Sequence, residues 1–231
     1  MCAHTISSVW NLGIMKINGI LFDLDGTLLD TAPDLCAALN YLRALHHLAP
    51  LPLSIIRDAA GAGFAGLMKV GLNIEPTDPR FPELSKQAFA YYEEHLLDNT
   101  QLFSGMEEVL TYLENENIPW GIVTNKPKRF TDLIAEKLHL SSKTNCIISG
   151  DSLENRKPHP EPVIHACQLL NREPQECLFI GDAKIDVMAG KAAGTKALIA
   201  MYGYIPKTEN PALWQADGQI HHPLEIMQWL G

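Results

Sequence analysis

Two aspartates two residues apart at the end of an apolar run, in Asp23-Leu24-Asp25-Gly26-Thr27, are the residues of this 231-residue chain best placed to do chemistry. The preceding Ile17–Phe22 reads as a strand. Residues i and i+2 of a strand share a face, so Asp23 and Asp25 aim into one site. Gly26 then lets the chain turn sharply. Of two converging acids, one can be a nucleophile and the other a proton donor and acceptor. Read blandly, the pair is an acidic turn that binds nothing.

Three more polar groups stand where strands end. Thr124-Asn125 closes a second strand before Lys126-Pro127, where a hydroxyl and free backbone N–H groups suit phosphate oxygens; capping a helix is the competing role. Lys157 lies in Arg156-Lys157-Pro158-His159-Pro160-Glu161-Pro162. Prolines stiffen that approach, and a compact ammonium suits charge neutralisation of phosphate; otherwise Lys157 is one more exposed lysine. Gly181-Asp182-Ala183-Lys184-Ile185-Asp186 closes another strand and opens a helix. Asp182 can bind a hard cation there, with Asp186 one turn later supporting it. Asp23, Asp182 and backbone or water oxygens would suit magnesium; the plain alternative is helix capping by Asp182.

The elements that position these groups alternate. Ile17–Phe22, Trp120–Thr124, Cys146–Ser149, Leu178–Gly181 and Ala197–Ala200 read as strands, with helical stretches such as Met106–Asn115 and Thr131–Leu138 between most of them. That alternation predicts an α/β fold with a parallel sheet covered by helices on both faces. The long stretch between Phe22 and Trp120 contains no convincing strand. It reads as helices over Ala32–Leu48 (with Thr31 as a cap), Ser54–Ala60, Ala65–Leu72 and Pro82–Leu97. The expected organisation is a core of residues 15–32 and 100–231 with a helical cap at 33–99, a movable lid by its position directly after the acidic pair. Gly61-Ala62-Gly63-Phe64-Ala65-Gly66 fits the dinucleotide pattern GxGxxG, but the pattern needs a preceding strand and the residues before it read as helix. A turn between two lid helices is the better account. Its glycines permit close backbone approach. Gly61, Gly63 and Arg57, about one turn upstream, are therefore the expected readers of the substrate, Arg57 by pairing with a carboxylate. An ordinary cap–core salt bridge is the other role open to Arg57.

Composition narrows the function classes. Hydrophobic content of 46% supports a packed interior. A net charge of −9 argues against a nucleic-acid or acidic-membrane surface, and no apolar run approaches the ~18 residues needed to span a bilayer. The five cysteines (Cys2, Cys36, Cys146, Cys167, Cys177) form no CxxC pair and read as thiols in a reducing cytosol. The nine histidines include no HExxH zinc pattern. Met1 to Ile14 makes a poor signal peptide and reads as an upstream start or a loose extension.

The ordered set DxDGT, Thr, Lys-Pro and GDxxxD resembles the haloacid dehalogenase superfamily over nearly all of residues 17–231. The resemblance implies a Rossmann-like core with a helical cap inserted after the first strand. It implies Asp23 as nucleophile and Asp25 as general acid/base, with Thr124, Asn125 and Lys157 on the phosphoryl group. Asp23, Asp182 and the backbone carbonyl of Asp25 would ligate magnesium, organised by Asp186. Dehalogenases lack the second aspartate, so Asp25 argues for phosphoryl chemistry on a small phosphorylated metabolite. Within the superfamily the chain resembles phosphoglycolate phosphatases, through residues 22–31 and Val123-Thr124-Asn125-Lys126-Pro127. It is also similar to N-acetylmuramic acid 6-phosphate phosphatases, through Trp120-Gly121, Tyr202-Gly203-Tyr204-Ile205, Asn210-Pro211 and Trp214. Phosphoglycolate, the broader family label, is the leading expectation and the amino-sugar ester the alternative. A sugar-phosphate mutase shares all four motifs. A non-catalytic phosphate-binding module would be expected to lose Asp23, Asp25 or Lys157.

Overall fold

The computed structural model describes residues 16–230; the reading of the first fourteen residues, Cys2 included, lies outside them. Six parallel strands form one sheet: β1 (Gly19–Phe22), β4 (Trp120–Val123), β5 (Cys146–Ile148), β6 (Cys177–Gly181), β7 (Lys196–Ala200) and β8 (Gly218–Ile220), in the spatial order β5-β4-β1-β6-β7-β8. β1 and β4 are buried throughout, as befits strands covered on both faces. The strands' alternation sorts the core into two halves. Ile20, Phe22, Leu178 and Ile180 pack with Phe130 and Ile134 of α6 (Lys128–Lys137) and with α5 (Met106–Asn115). Leu21, Cys177 and Phe179 pack on the other side with α7 (Glu161–Leu169) and α8 (Lys184–Ala193). The chain runs outward from β1 through β4 to β5 and then returns to β1's other neighbour, β6. That reversal opens a crevice at the carboxyl ends of β1, β4 and β6, where open α/β sheets bind ligands.

The expected strands are present, each differing by one or two residues at one end, and β8 is an addition. Its three residues, Gly-Gln-Ile, carry too little apolar pattern to announce an edge strand. A two-residue antiparallel pair, β2 (Leu29–Asp30) with β3 (Gln101–Leu102), was also not foreseen. It forms the stem through which the chain leaves and re-enters the core.

Between these two short strands lie four helices: α1 (Ala32–Leu45), α2 (Leu53–Ala60), α3 (Gly63–Leu72) and α4 (Phe81–His95). α1 stops short of the expected Leu48 because His47 adopts a left-handed conformation, with φ of 56°. The helices share clusters of their own, Leu42 with Met68, Ile74, Leu84 and Ala88, and Leu39 with Ile56, Ala59 and Leu67. Ala38, Tyr92 and Leu96 belong instead to the main core cluster, so the helical layer is also packed down on the sheet domain.

The stem is clamped by a buried carboxylate. Asp34, 1% exposed, accepts hydrogen bonds from the backbone N–H of Asn99 and Thr100, from Asn99 Nδ2 and from Thr100 Oγ1. Asp34→Ala would orphan the two buried donors of Thr100 and release Asn99 from the stem, so a loss of about 3 kcal/mol is expected. A lowered urea midpoint with an unchanged slope would show it; an unchanged midpoint would mean water replaces the carboxylate.

Candidate active site

Asp23 follows the last residue of β1, its backbone N–H bonded to Ile180 of β6 at 2.8 Å, which fixes the carboxylate at the crevice. Lys157 Nζ lies 2.8 Å from Asp23 Oδ1, 2.7 Å from Asp186 Oδ1, and donates to the carbonyl of Val123 at 2.8 Å. Lys157 is only 3% exposed, so the exposed-lysine reading fails. Asn125 Nδ2 donates to the main-chain carbonyl of Lys157 at 2.9 Å, securing the loop that carries it. Asp182 accepts from Thr27 Oγ1 and, at 2.6 Å, from the Tyr204 N–H. It does not cap α8: Asp186 fills that role by accepting from Ala183 N.

Each of Asp23, Asp182 and Asp186 offers an oxygen within 4.8 Å of the others, and all three are buried. Burial, together with the neighbouring carboxylates, holds Asp182 well above the ordinary carboxylate range. Asp23 is pushed up to about 6, chiefly by burial, with Lys157 opposing and Asp186 and Asp25 adding to the rise. Burial works against the charge on Lys157, but Asp186 and Asp23 outweigh it and lift the ammonium to about 12. Three carboxylates thus face one buried cation, and Asp182 is met only by neutral donors. An all-oxygen set with surplus negative charge fits a hard divalent cation.

Asp25 sits across the crevice. Its Oδ1 accepts from Thr31 Oγ1 at 2.6 Å and from Lys126 Nζ at 2.9 Å, and its Oδ2 lies 3.1 Å from the same ammonium. Thr31 stands before α1, yet its hydroxyl serves Asp25 rather than capping the helix as expected. Thr124, 4% exposed, accepts from Lys126 N at 3.2 Å.

Asp23, Asp25, Thr124, Asn125, Lys157 and Asp182 all line one cavity of about 650 Å³ between the sheet and the four helices. Gly61 and Gly63 line it as well, and the segment containing them joins α2 to α3 with no strand before it, unlike a dinucleotide site. A Cβ on Gly61 would lie 2.1 Å from the Tyr204 carbonyl, so glycine is required by close cap–core contact. Arg57 is not among the lining residues. Its guanidinium grips Asp30 of β2 with both amino groups and stacks 5.7 Å from the Tyr204 ring centroid. Tyr204 OH in turn donates to Asp30 Oδ1 at 2.7 Å. Of the two roles open to Arg57, the structure displays the salt bridge.

Lys126 and Tyr92 were given no role from the sequence, and Tyr204 entered only through the resemblance carried by Tyr202-Gly203-Tyr204-Ile205. The signal for Lys126 is its place immediately after Thr124-Asn125; Tyr92 acts from a distant helix and gives none, and the motif containing Tyr204 does not reveal its contact with Asp30.

The profile of the family described as Haloacid dehalogenase-like hydrolase matches residues 20–200. The N-acetylmuramic acid 6-phosphate phosphatase of Pseudomonas aeruginosa is 36% identical, covering 94% of this chain and 96% of its own. The phosphoglycolate phosphatase of Xylella fastidiosa is 36% identical, covering 88% of this chain and 89% of its own. The crystal structure of a predicted phosphoglycolate phosphatase from Haemophilus somnus superposes with a TM-score of 0.81 at 26% identity, covering 94% and 99% of the two chains.

Proposed function

Because this chain belongs to the haloacid dehalogenase-like hydrolase family, we propose that it is a magnesium-dependent phosphomonoester hydrolase working through an aspartyl-phosphate on Asp23. The observation that carries this reading is the pairing of Asp23 with buried Lys157 at the floor of the cavity, with Asp25 across from it. Asp23 Oδ attacks phosphorus and the bond to the leaving oxygen breaks. Asp25 gives that oxygen a proton, then takes one from the water that releases phosphate from Asp23. Lys157 offsets the charge that would otherwise keep an anionic ester away from an anionic nucleophile. Thr124, with backbone N–H groups beside it, is the seat proposed for the phosphoryl oxygens, and Asn125 supports it by holding the Lys157 loop. Magnesium would be held by Asp23, Asp182 and the carbonyl of Asp25, with Asp186 in support, and would supply further charge neutralisation and orientation of the phosphoryl group.

The leaving group must be read by the rest of the cavity. Its volume falls in the ~300–1,000 Å³ range of sites that enclose drug-sized ligands, generous for a two-carbon acid. Leu35, Leu39, Phe64, Leu67 and Phe89 give the helical layer an apolar wall, while the cationic side chains that line the cavity come from the core, among them Arg156 and Lys184. These features favour a bulky ester carrying an apolar face, for which N-acetylmuramic acid 6-phosphate is the proposed candidate. Phosphoglycolate is the second reading, carried by the relatives of that name at similar identity.

Steady-state kinetics on these two compounds and a hexose 6-phosphate, with and without magnesium, tests both levels. Release of free phosphate only with magnesium is expected, with the amino-sugar acid giving the highest kcat/KM. Transfer of phosphate between sugar positions without release would identify a mutase, and no turnover across the panel would leave a binding module. With Arg57 engaged by Asp30, Arg57→Ala is expected to change kcat/KM for all three esters by a similar factor. A loss confined to the two carboxylate-bearing esters would return Arg57 to substrate recognition.

A further inference from the structure

Among the described residues, Lys126 is the one buried cation lining the cavity whose role the aspartyl-phosphate chemistry leaves unassigned. It is 9% exposed, and its ammonium is shared among three oxygens on two residues from different parts of the chain. Two of its contacts are the oxygens of Asp25, at 2.9 and 3.1 Å, and the third is Tyr92 OH on α4, at 3.0 Å. It also lies 4.9 Å from the centre of the Tyr92 ring. Burial opposes the charge on Lys126, and Asp25 and Tyr92 more than restore it, so the ammonium stays charged. Tyr92 is itself 3% exposed. Among the described residues, it is the only member of the helical layer that presents a polar side chain to the cavity.

We infer that Lys126 is a positioning residue that holds the Asp25 carboxylate in the crevice, and that Tyr92 makes this hold depend on the helical layer being docked. Thr31 fixes one oxygen of Asp25 from the stem, but a single hydroxyl leaves the carboxylate free to turn about that bond. Lys126 contacts both oxygens and sets the plane of the group. Lifting α4 away would remove Tyr92 OH from Lys126 and expose the ammonium to water, where it holds Asp25 far more weakly. Proton transfer would then be ready only when the cavity is closed over a substrate and bulk water is excluded. The inference rests on Asp25 being the proton donor and acceptor of the proposed hydrolysis.

The test compares an alkyl phosphate, whose leaving oxygen needs a proton, with p-nitrophenyl phosphate, whose phenolate leaves without one. In Lys126→Met, steady-state kcat for the alkyl ester is expected to fall about 10²-fold, the lower end of a general acid–base contribution. With p-nitrophenyl phosphate the same variant should release one phenolate per enzyme in a burst and then turn over slowly. Asp23 is still phosphorylated in that variant, but water attack lacks an oriented base. A loss equal for both esters, with no burst, would overturn the inference and leave Lys126 a packing residue. Tyr92→Phe keeps the ring and tests the coupling should Lys126→Met fail to fold. It should lower kcat roughly two- to tenfold, the worth of one hydrogen bond, at unchanged KM and unchanged inhibition by inorganic phosphate. Wild-type kcat in Tyr92→Phe would overturn the coupling. A wild-type enzyme inactive on both esters would sink the phosphatase reading and this inference with it.

Discussion

Asp23→Asn should fold normally and lose phosphate-ester turnover by on the order of 10⁴- to 10⁶-fold, the scale seen when a covalent nucleophile is removed. The amide keeps the size of the carboxylate, and Lys157 retains Asp186 at 2.7 Å and the Val123 carbonyl at 2.8 Å, so the buried ammonium is not left unpaired. The nucleophile is lost, together with one anionic oxygen of the proposed cation site, because an amide oxygen beside a buried cation cannot form a stable acyl-phosphate. Intact-mass analysis of acid-quenched reactions should show a phosphoryl adduct on the wild type and none on the variant. The large factor follows from the difficulty of the reaction. Uncatalysed monoester hydrolysis is so slow that enzymes supply up to ~10²¹-fold, and the spontaneous route left to a defective site is correspondingly negligible. Turnover close to wild type, in a preparation shown free of host phosphatase, would remove Asp23 from the mechanism.

The site was legible in the sequence to the extent that its members are tied to strand ends. Asp23 and Asp25 flank one residue after an apolar run, and Asp182 and Asp186 straddle a strand-to-helix junction; in both cases the local sequence places the residues at the crevice. Lys157 could be placed only by its proline-rich setting, and its burial between Asp23 and Asp186 depends on how a loop crosses the sheet. Arg57 shows where local reading runs out. Its position one turn before Gly61 pointed to the cavity, but its partner Asp30 lies on the stem and Tyr204 on a loop after β7. No spacing rule joins those three residues. Thr31 illustrates the same competition: a threonine before a helix normally caps it, and here a nearby carboxylate claims the hydroxyl.

The fold divides along the same line. Strands buried on both faces read clearly because every residue is apolar, whereas β8 and the two-residue stem pair are made by tertiary contacts. Helix ends were misjudged where one residue decides, as at His47 with its left-handed backbone. The sequence was divided into a core and a helical cap at residues 33–99; four helices lie between β2 and β3. What the sequence could not convey is that Tyr92 and Leu96 of this layer pack into the main core. The cavity roof is therefore continuous with the core, which bears on how far such a lid can move.

Asp182→Asn should separate stability from function in opposite directions. In the metal-free protein, Asp182 is a buried carboxylate met by Thr27 Oγ1 and the Tyr204 N–H, with Asp23 and Asp186 close by. An asparagine can keep its oxygen toward Tyr204 N while shedding the charge that burial and the neighbouring carboxylates penalise. Relieving an uncompensated charge is worth about 1–3 kcal/mol, or roughly 2–4 °C of melting temperature per kcal/mol for a chain of this size. In chelator the variant should therefore melt higher than the wild type. The sign with pH follows from the raised folded-state pKa. Its destabilising contribution is absent below the unfolded carboxylate value near ~4 and grows as pH climbs toward the folded value. The advantage of the variant should accordingly be small in acid and largest at neutral pH and above. Magnesium should reverse the order. A ligand at 100 times its Kd stabilises by about 2.7 kcal/mol, so the wild type should rise on titration while the variant, with one anionic ligand fewer, responds weakly and loses activity. If the variant melted lower in chelator and kept its full magnesium response, Asp182 would be serving the fold rather than a cation.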